Sequence, residues 1–561
     1  VNEVSDTRPA NSVDRRGFLA LLGLGAAAVA SGGALAGCSK EAGTGGTATN
    51  TDAISAVLPK FSPMDLVKPD IPGIAPIANG FVKYPANLVQ AIATAPGTSG
   101  KKATAMTPWW GPVPPGLGSN QYYDAVNAKL GIPVEFSVQD GTTYADKLNA
   151  MLGARDVPDM LCIPGWEIVK IPRFADAVKA LFEDLTDYLK GDAAAPYKML
   201  SSFPQDAWRN AVWGGRLSAI PWPTDGPFPW ALFYRKDLLD KVGATYPKSL
   251  DELYAIGKQL TDPSKNVWAF GDMFPMVQMY HKVAGSRDGW RRKSGGGVEF
   301  KYETPEYKAA VEFMAKLYKD GLIHPDLVAT KGADAKQLFS SGKILFLQDG
   351  LGAWQGMQAD QSKVTPGFNM QAAPIFSATG GDPLVWGSPL PIFFTFIKKG
   401  LGADRTKELL RVLDWCAAPF GTKEWELREY GKEGVHFTRD SAGAPVATEL
   451  AQKEIAFQYG FIVGRTPALV SKPETPNFVK DTITYQNSMV RYMEKDPWEG
   501  IKLEMPANYS KVLVPTEDKI TDIIRGRRPI SDLDSIVKEW KSGGGDEGRD
   551  FLAKALSDNG R

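Results

Sequence analysis

The chain has 561 residues, with 64 Lys and Arg against 64 Asp and Glu, three Cys, three His and 43% apolar residues. That length supports several domain-sized units with large cores, and the zero net charge argues against a nucleic-acid binder. Three Cys and three scattered His (His281, His324 and His436) exclude a disulfide framework and a Cys- or His-rich metal site.

The chain opens on an export signal. Arg15-Arg16-Gly17-Phe18-Leu19 precedes an apolar run to Val29, and small residues then lead to Leu35-Ala36-Gly37-Cys38. A basic start, a short apolar core and a small-residue cleavage site make a signal peptide over 1–37, too short for a lasting membrane span. The paired arginines resemble a twin-arginine signal, and Leu-Ala-Gly-Cys resembles a bacterial lipobox, which implies lipidation of Cys38. Gly23-Leu24-Gly25-Ala26-Ala27-Ala28 matches a nucleotide-binding fingerprint, but it lies inside the apolar run with no preceding strand and has no physical context. From Ser39 to about Asn50 the composition is that of a tether. Residues 51–100 read as an extended arm rather than a core.

The body alternates strands and helices. A strand is expected at Lys102–Thr107, a helix at Gln121–Leu130, a strand at Val134–Val138, a helix at Tyr144–Gly153 and a buried strand at Met160–Ile163. This order predicts an α/β protein with a mostly parallel sheet. Ser249-Leu250-Asp251-Glu252 is a capping box, and Thr304-Pro305 starts a helix that Gly321 and Pro325 end. Ser531 is expected to cap a late helix stopped by Gly543-Gly544-Gly545.

No P-loop, zincin or nucleophile-elbow motif is present in the sequence. Cys162 and Cys416 fall on a strand and a helix pattern, which reads as small buried apolar residues rather than nucleophiles. The aromatics are more informative. Trp109 and Trp110 follow the first strand, Trp166 follows the third, and Trp222, Asp225 and Trp230 lie in a Pro- and Trp-rich stretch; Trp386 lies in another. Ligands of parallel α/β sheets sit outside the carboxyl ends of strands, where these residues fall. A flat indole covers the C–H face of a sugar, while polar side chains bond its hydroxyl edge.

Phe233-Tyr234-Arg235-Lys236-Asp237-Leu238-Leu239 followed by Tyr246-Pro247-Lys248-Ser249-Leu250-Asp251-Glu252-Leu253 resembles the hinge-and-helix signature of extracellular solute-binding proteins of ABC importers, the maltose-binding-protein-like family. Gln337-Leu338-Phe339 with Ser341-Gly342-Lys343 and Gly350 to Trp354 resembles that family's F-x-x-G-K … G-x-W stretch. Leu317 to Ile323, Ile523 to Gly526 and Ile530 to Trp540 are similar to the lipoprotein subgroup that includes aldouronate-type oligosaccharide-binding proteins. Many of that subgroup carry an acidic calcium loop where this chain reads Asp262-Pro263-Ser264-Lys265-Asn266-Val267-Trp268; one carboxylate beside a Lys supplies too little hard oxygen, and no metal is expected there.

The resemblance implies a two-lobed, periplasmic-binding-protein-like (type II) α/β fold with a hinge and an interlobe ligand cleft. By analogy, 38–100 is a lipid-anchored tether and arm, 101–226 plus 392–460 the first lobe, and 227–391 plus 461–561 the second. Its implied function is non-enzymatic capture of a carbohydrate, an oligosaccharide, and delivery to an ABC permease by a monomer anchored on the extracytoplasmic face of the cell membrane. Cleft candidates are Trp109, Trp110, Trp166, Trp222, Asp225, Trp230, Asp272, Asp349, Trp386 and Arg465. The indoles would stack on sugar faces, the carboxylates accept hydroxyl protons, and Arg465 could hold a uronate carboxylate bidentately. No catalytic residue or cofactor is implied. The rival reading, a secreted lipoprotein glycoside hydrolase, would use the same aromatic cleft and needs a carboxyl pair facing one sugar ring.

Overall fold

The computed structural model describes residues 46–561, except 169, 172–173, 229, 329–332 and 388–390. The export signal, the nucleotide-like glycines and Cys38 lie outside the described residues. Among the described residues no helix is long and apolar enough to cross a membrane.

The arm comes first. It carries a short strand β1 (Thr47–Thr49), a helix α1 (Thr51–Ser55) capped by the Asn50 side chain, and a strand β2 (Gly80–Phe81). The arm is extended, as its Pro- and Gly-rich composition predicts, yet it is not free of the core: Ile54, Val57 and Leu58 are buried among the first lobe's apolar side chains. Further on, the backbone N–H groups of Thr98 and Ser99 donate to Glu408 at 2.7 and 2.8 Å.

The first sheet then forms much as the alternation predicts. β3 (Ala103–Trp109), α2 (Gln121–Leu130), β4 (Val134–Asp140), α3 (Tyr144–Ala154) and β5 (Met160–Pro164) follow in order, with Asn120 capping α2 and Gly131 closing it in the left-handed region. β6 (Ile220–Pro221) is a short edge strand. The chain crosses over residues 222–228 into the second lobe. There β7 (Trp230–Arg235), α4 (Leu250–Leu260), β8 (Trp268–Phe270), α5 (Phe274–Tyr280), α6 (Pro305–Lys319), β9 (Ile344–Gly350) and β10 (Met370–Ala372) succeed one another. Both expected caps are present: Ser249 Oγ accepts from Glu252 N at 3.2 Å, and Thr304 Oγ1 from Tyr307 N at 3.3 Å.

A second crossing returns the chain to the first sheet as β11 (Phe393–Ile397), followed by α7 (Ala403–Cys416) and α8 (Gln458–Ile462). β12 (Leu469–Val470) pairs with β2 of the arm, β13 (Lys502–Glu504) pairs with β1, and α9 (Ala507–Ile524) packs on α6. The late helix differs from expectation. Ile530–Asp532 form a 3-10 turn, so Asp532 rather than Ser531 sits at the helix start, and the glycine run does not stop the chain. Lys541–Gly545 instead make a kinked wide turn into a last helix, Asp546–Asp558.

The first sheet has strand order β4-β3-β5-β11-β6, with β3 parallel to β4 and β5, and β11 antiparallel to both its neighbours. The second has order β8-β9-β7-β10, with β8 and β9 parallel and β7 antiparallel to β9 and β10. Each sheet has its own buried apolar cluster, one centred on Phe396, Leu409 and Trp208, the other on Phe270, Phe346 and Trp290.

This register places the site. β3 and β5 end where β11 begins, with Pro164 opposite Phe393 and Pro221 opposite Phe394. In the second sheet β9 ends where β7 begins, with Gly350 opposite Trp230. The first crossing therefore runs from the carboxyl-end rim of one sheet to the matching rim of the other. The second does the same, because β10 runs against β7 and finishes at that rim.

Candidate functional site

Four of the predicted indoles come together on the first rim. Trp109 ends β3 and its indole N–H donates to Pro112 O at 2.9 Å, holding the turn that presents Trp110. Trp110 and Trp166 face each other with ring centres 6.1 Å apart, and each keeps more than a third of its surface exposed, at 38% and 37%. Beneath them lies a layer of phenylalanines. Phe393 lies 5.2 Å from Trp166 and 4.8 Å from Trp222, while Phe461 lies 6.1 Å from both Trp109 and Trp110. Phe461 and Phe393 are themselves 5.2 Å apart, and Phe457 joins Phe461 at 5.5 Å and Trp222 at 6.0 Å.

All of these pairs are edge-on or tilted, the arrangements that ring quadrupoles favour. Glycines let the indoles lie flat against backbone: a Cβ on Gly141 would fall 2.1 Å from the Trp110 ring, and one on Gly464 would fall 1.8 Å from that of Trp222. The result is a fixed aromatic wall with two open indole faces. The three phenylalanines escaped sequence reasoning, although Phe457 and Phe461 stand one helical turn apart and Phe393 opens a strand.

The second rim differs in kind. Trp230, 43% exposed, starts β7 opposite Gly350. Asp349 beside it accepts from Gly350 N at 2.7 Å and pairs with Lys336 Nζ at 3.1 Å. Asp272 follows β8 at the same end of the sheet and is exposed, and its carboxylate accepts from Phe274 N at 3.2 Å at the start of α5.

Asp225 and Arg465 form a third group, between the lobes. Asp225 lies on the first crossing and Arg465 just beyond α8. The guanidinium donates from Nη1 and Nη2 to the two carboxylate oxygens at 2.9 and 3.2 Å, and Ala468 N donates to the same carboxylate at 2.8 Å. The fork expected to grip a uronate is thus engaged by Asp225, across 240 residues of sequence. Trp386 joins none of these groups: its indole N–H donates to Val283 O at 2.7 Å, back into its own lobe.

Other residues take structural roles. Cys162 and Cys416 are fully buried, and burial pushes both thiols up, that of Cys416 to about 12, so neither is poised as a nucleophile. In the loop that matches a calcium site, Lys265 Nζ sits 2.7 Å from Asp262, whose other oxygen accepts from Ser264 N and Oγ at 3.2 and 2.6 Å. The ammonium takes the place of the cation, so the loop does not fit calcium. Among the described residues no group of three or more His, Cys, Asp or Glu is arranged to hold a metal.

Comparison with known proteins agrees with the fold. The sequence profile of the bacterial extracellular solute-binding proteins matches residues 114–393. The chain is 27% identical to the polygalacturonan/rhamnogalacturonan-binding protein YtcQ of Bacillus subtilis over 315 residues, 52% of this chain but only 59% of that protein. It is 23% identical to the lipoprotein LipO of the same organism over 482 residues, 81% of this chain and 92% of LipO. The N-glycan transport solute-binding protein NgtS of Streptococcus pneumoniae, solved with Man1GlcNAc, superposes with a TM-score of 0.58 at 14% identity, covering 82% of this chain and 99% of its own. That superposition shows the two-lobed, type II periplasmic-binding-protein-like fold.

Proposed function

This chain belongs to the bacterial extracellular solute-binding proteins, and from that premise we propose that it captures an oligosaccharide between its lobes and delivers it to an ABC importer. The observation that carries the reading is the exposed indole pair Trp110 and Trp166, seated on a phenylalanine layer at the rim where both crossings meet. Two exposed indole faces suit the flat C–H faces of successive sugar rings, and the opposite rim offers carboxylates at Asp349 and Asp272 for the hydroxyl edges. Each member of the crossing pair Asp225–Arg465 is already neutralised by the other, so stacking and hydroxyl contacts carry recognition. Binding then draws the second lobe onto the first, and the closed form is what a permease would receive.

The family's members are binding proteins, and no catalytic step is assigned to this chain. Its extracytoplasmic placement follows the family, and its anchor is proposed to be lipidated Cys38 after twin-arginine export, a reading that the name of LipO supports. The chain is proposed to act as a monomer.

The test is a panel of plant and microbial oligosaccharides with thermal unfolding as readout. A ligand at ~100 times its dissociation constant stabilises by about 2.7 kcal/mol, and each stabilising sugar is then recovered and weighed by mass spectrometry. An intact sugar is the expected result. Shortened products would instead make this a hydrolase, and a panel with no stabilising sugar would remove the carbohydrate assignment.

A further inference from the structure

The N-terminal arm grips both lobes within a dozen residues. β1 pairs antiparallel with β13, Thr47 opposite Glu504, Ala48 opposite Leu503 and Thr49 opposite Lys502. β13 belongs to the second lobe: Trp498 and Ile501 just before it are buried in that lobe's core, and Trp498 Nε1 donates to Leu552 O at 3.0 Å. After Asn50 the same arm enters the first lobe, where Ile54, Val57 and Leu58 are buried and Gly191 N donates to Leu58 O at 2.9 Å. Between the two grips, Thr51 Oγ1 donates to Gly500 O at 3.1 Å.

The junction is reinforced from β13 itself. Lys502 Nζ donates to Asn210 O at 2.7 Å and stands 4.1 Å from the ring of Trp213, which is buried in the first lobe. Gly214 N donates to Glu504 Oε1 at 3.1 Å. A cation over an indole face adds attraction to the hydrogen bond.

Lobe closure is a rotation of one rigid body against the other. A chain segment paired to one body and buried in the other resists any rotation that separates its two grips. We infer that the arm is a noncovalent clasp that holds the lobes at a preferred angle, a link additional to the covalent crossings. With only three residue pairs in its strand the clasp is weak enough to open, since short isolated strand pairings are marginal in water. It is also the part of the chain that leads toward Cys38, so the proposed membrane anchor and the interlobe angle meet in one element.

The test breaks the arm's strand pairing and, separately, the side-chain bridge from β13 to the first lobe. A Cβ at Gly46 would lie 2.2 Å from the Glu504 carbonyl oxygen, so Gly46→Val forces β1 off β13 without touching either core. Lys502→Ala removes the side-chain contact to the first lobe. Nitroxide labels are placed at Asp124→Cys on α2 and Lys308→Cys on α6, both exposed, in the full chain carrying Cys38→Ser. Cys162 and Cys416 stay unlabelled because they are buried.

Pulsed EPR distances are measured without ligand, so the outcome does not depend on what the cleft binds. The expected result is one narrow distance distribution in the parent and a broader one, with population at new distances, in each variant that keeps the parent's near-ultraviolet circular dichroism. Should Gly46→Val fail to fold, Lys502→Ala still decides. Parent-like distributions in the folded variants overturn the clasp.

Discussion

On the first lobe's rim four indoles stand against three phenylalanines, and the rings of Trp110 and Trp166 rest on ring contacts and, at Trp110, on the Gly141 backbone. On the second lobe's rim a single exposed indole, Trp230, stands among carboxylates that are held by an ammonium, a backbone N–H and a helix start. One wall is non-directional and formed in advance of any ligand. The other is directional, and its polar groups reach full use only when a partner arrives. The contrast implies an order of events, with a sugar docking first on the aromatic wall and the polar wall closing over its hydroxyls.

The largest effect expected is at Phe393, which is 4% exposed and touches Trp166, Trp222 and Phe461. Phe393→Ala should cost about 3–5 kcal/mol of stability, as for other buried phenylalanines, and should abolish sugar binding at temperatures where the protein stays folded. Chemical denaturation and calorimetric titration check the two parts. Loss of stability with full affinity would separate the wall from the site. Trp110→Ala comes next, because its ring is more exposed. Removing a stacking anchor should weaken binding by ~2 kcal/mol, roughly 30-fold, with little change in the unfolding midpoint. Equal loss of both would mean that this indole is packing rather than a ligand face.

The aromatic wall also has a pH signature from behind. α7 carries Glu408 and Asp414, which shift in opposite directions. Burial alone would raise Glu408, but the N–H groups of Ser99 and Thr98, the Ser99 hydroxyl and Arg405 together bring it down to about 2 from 4.5. Its contribution to stability is therefore present above pH 4.5 and lost as pH falls toward 2. Asp414 is raised by burial to about 7 from 3.8, despite accepting from Met199 and Leu200 N–H at 2.9 Å. Its contribution is complete below pH 3.8 and lost as pH rises through 7. Glu408→Gln should flatten the acid limb of the stability profile and Asp414→Asn the limb from pH 4 to 7; unchanged limbs would contradict both placements. Glu408 ties down the residues just before β3, so acid should also loosen the strand that bears Trp109 and Trp110.

Much of this wall was readable before any coordinates, because local rules dominate there. The β3-α2-β4-α3-β5 alternation and the indoles at strand ends follow from periodicity, as the Ser249 and Thr304 caps of the second lobe follow from short-range hydrogen bonding. What supports the indoles was not readable, since Phe393, Phe457 and Phe461 reach Trp109 and Trp110 only through the chain's return to the first sheet. Arg465 shows the same limit: its fork is engaged by a carboxylate 240 residues earlier, a pairing that no spacing announces. Trp386 is expected at a sheet rim, yet its indole N–H donates to Val283 O in its own lobe, a long-range contact that the local sequence does not announce. The arm reads as an extended segment because 51–100 is rich in Pro, Gly and Ala with little periodicity, so the burial of scattered residues such as Ile54, Leu58 and Phe81 has no local signal.

The second wall gives smaller effects, since Asp349 is already paired with Lys336. Asp349→Asn keeps the shape but weakens both the Lys336 contact and any hydroxyl bond, and an affinity loss of about 1 kcal/mol, some fivefold, is expected. A loss as large as that at Trp110 would make the polar wall the primary dock and reverse the order of events. The smallest effect belongs to the loop after α4. There Lys265 supplies the positive charge that a calcium ion would otherwise bring, drawing Asp262 down to about 2 while Ser264 occupies the other carboxylate oxygen. An exposed pair of this kind adds little stability, but it removes the reason to bind a metal, because a divalent cation would have to displace an ammonium and would find one carboxylate. Neither calcium nor a chelator should therefore move the unfolding midpoint or the sugar affinity. A chelator-sensitive midpoint would show that the second lobe depends on an ion.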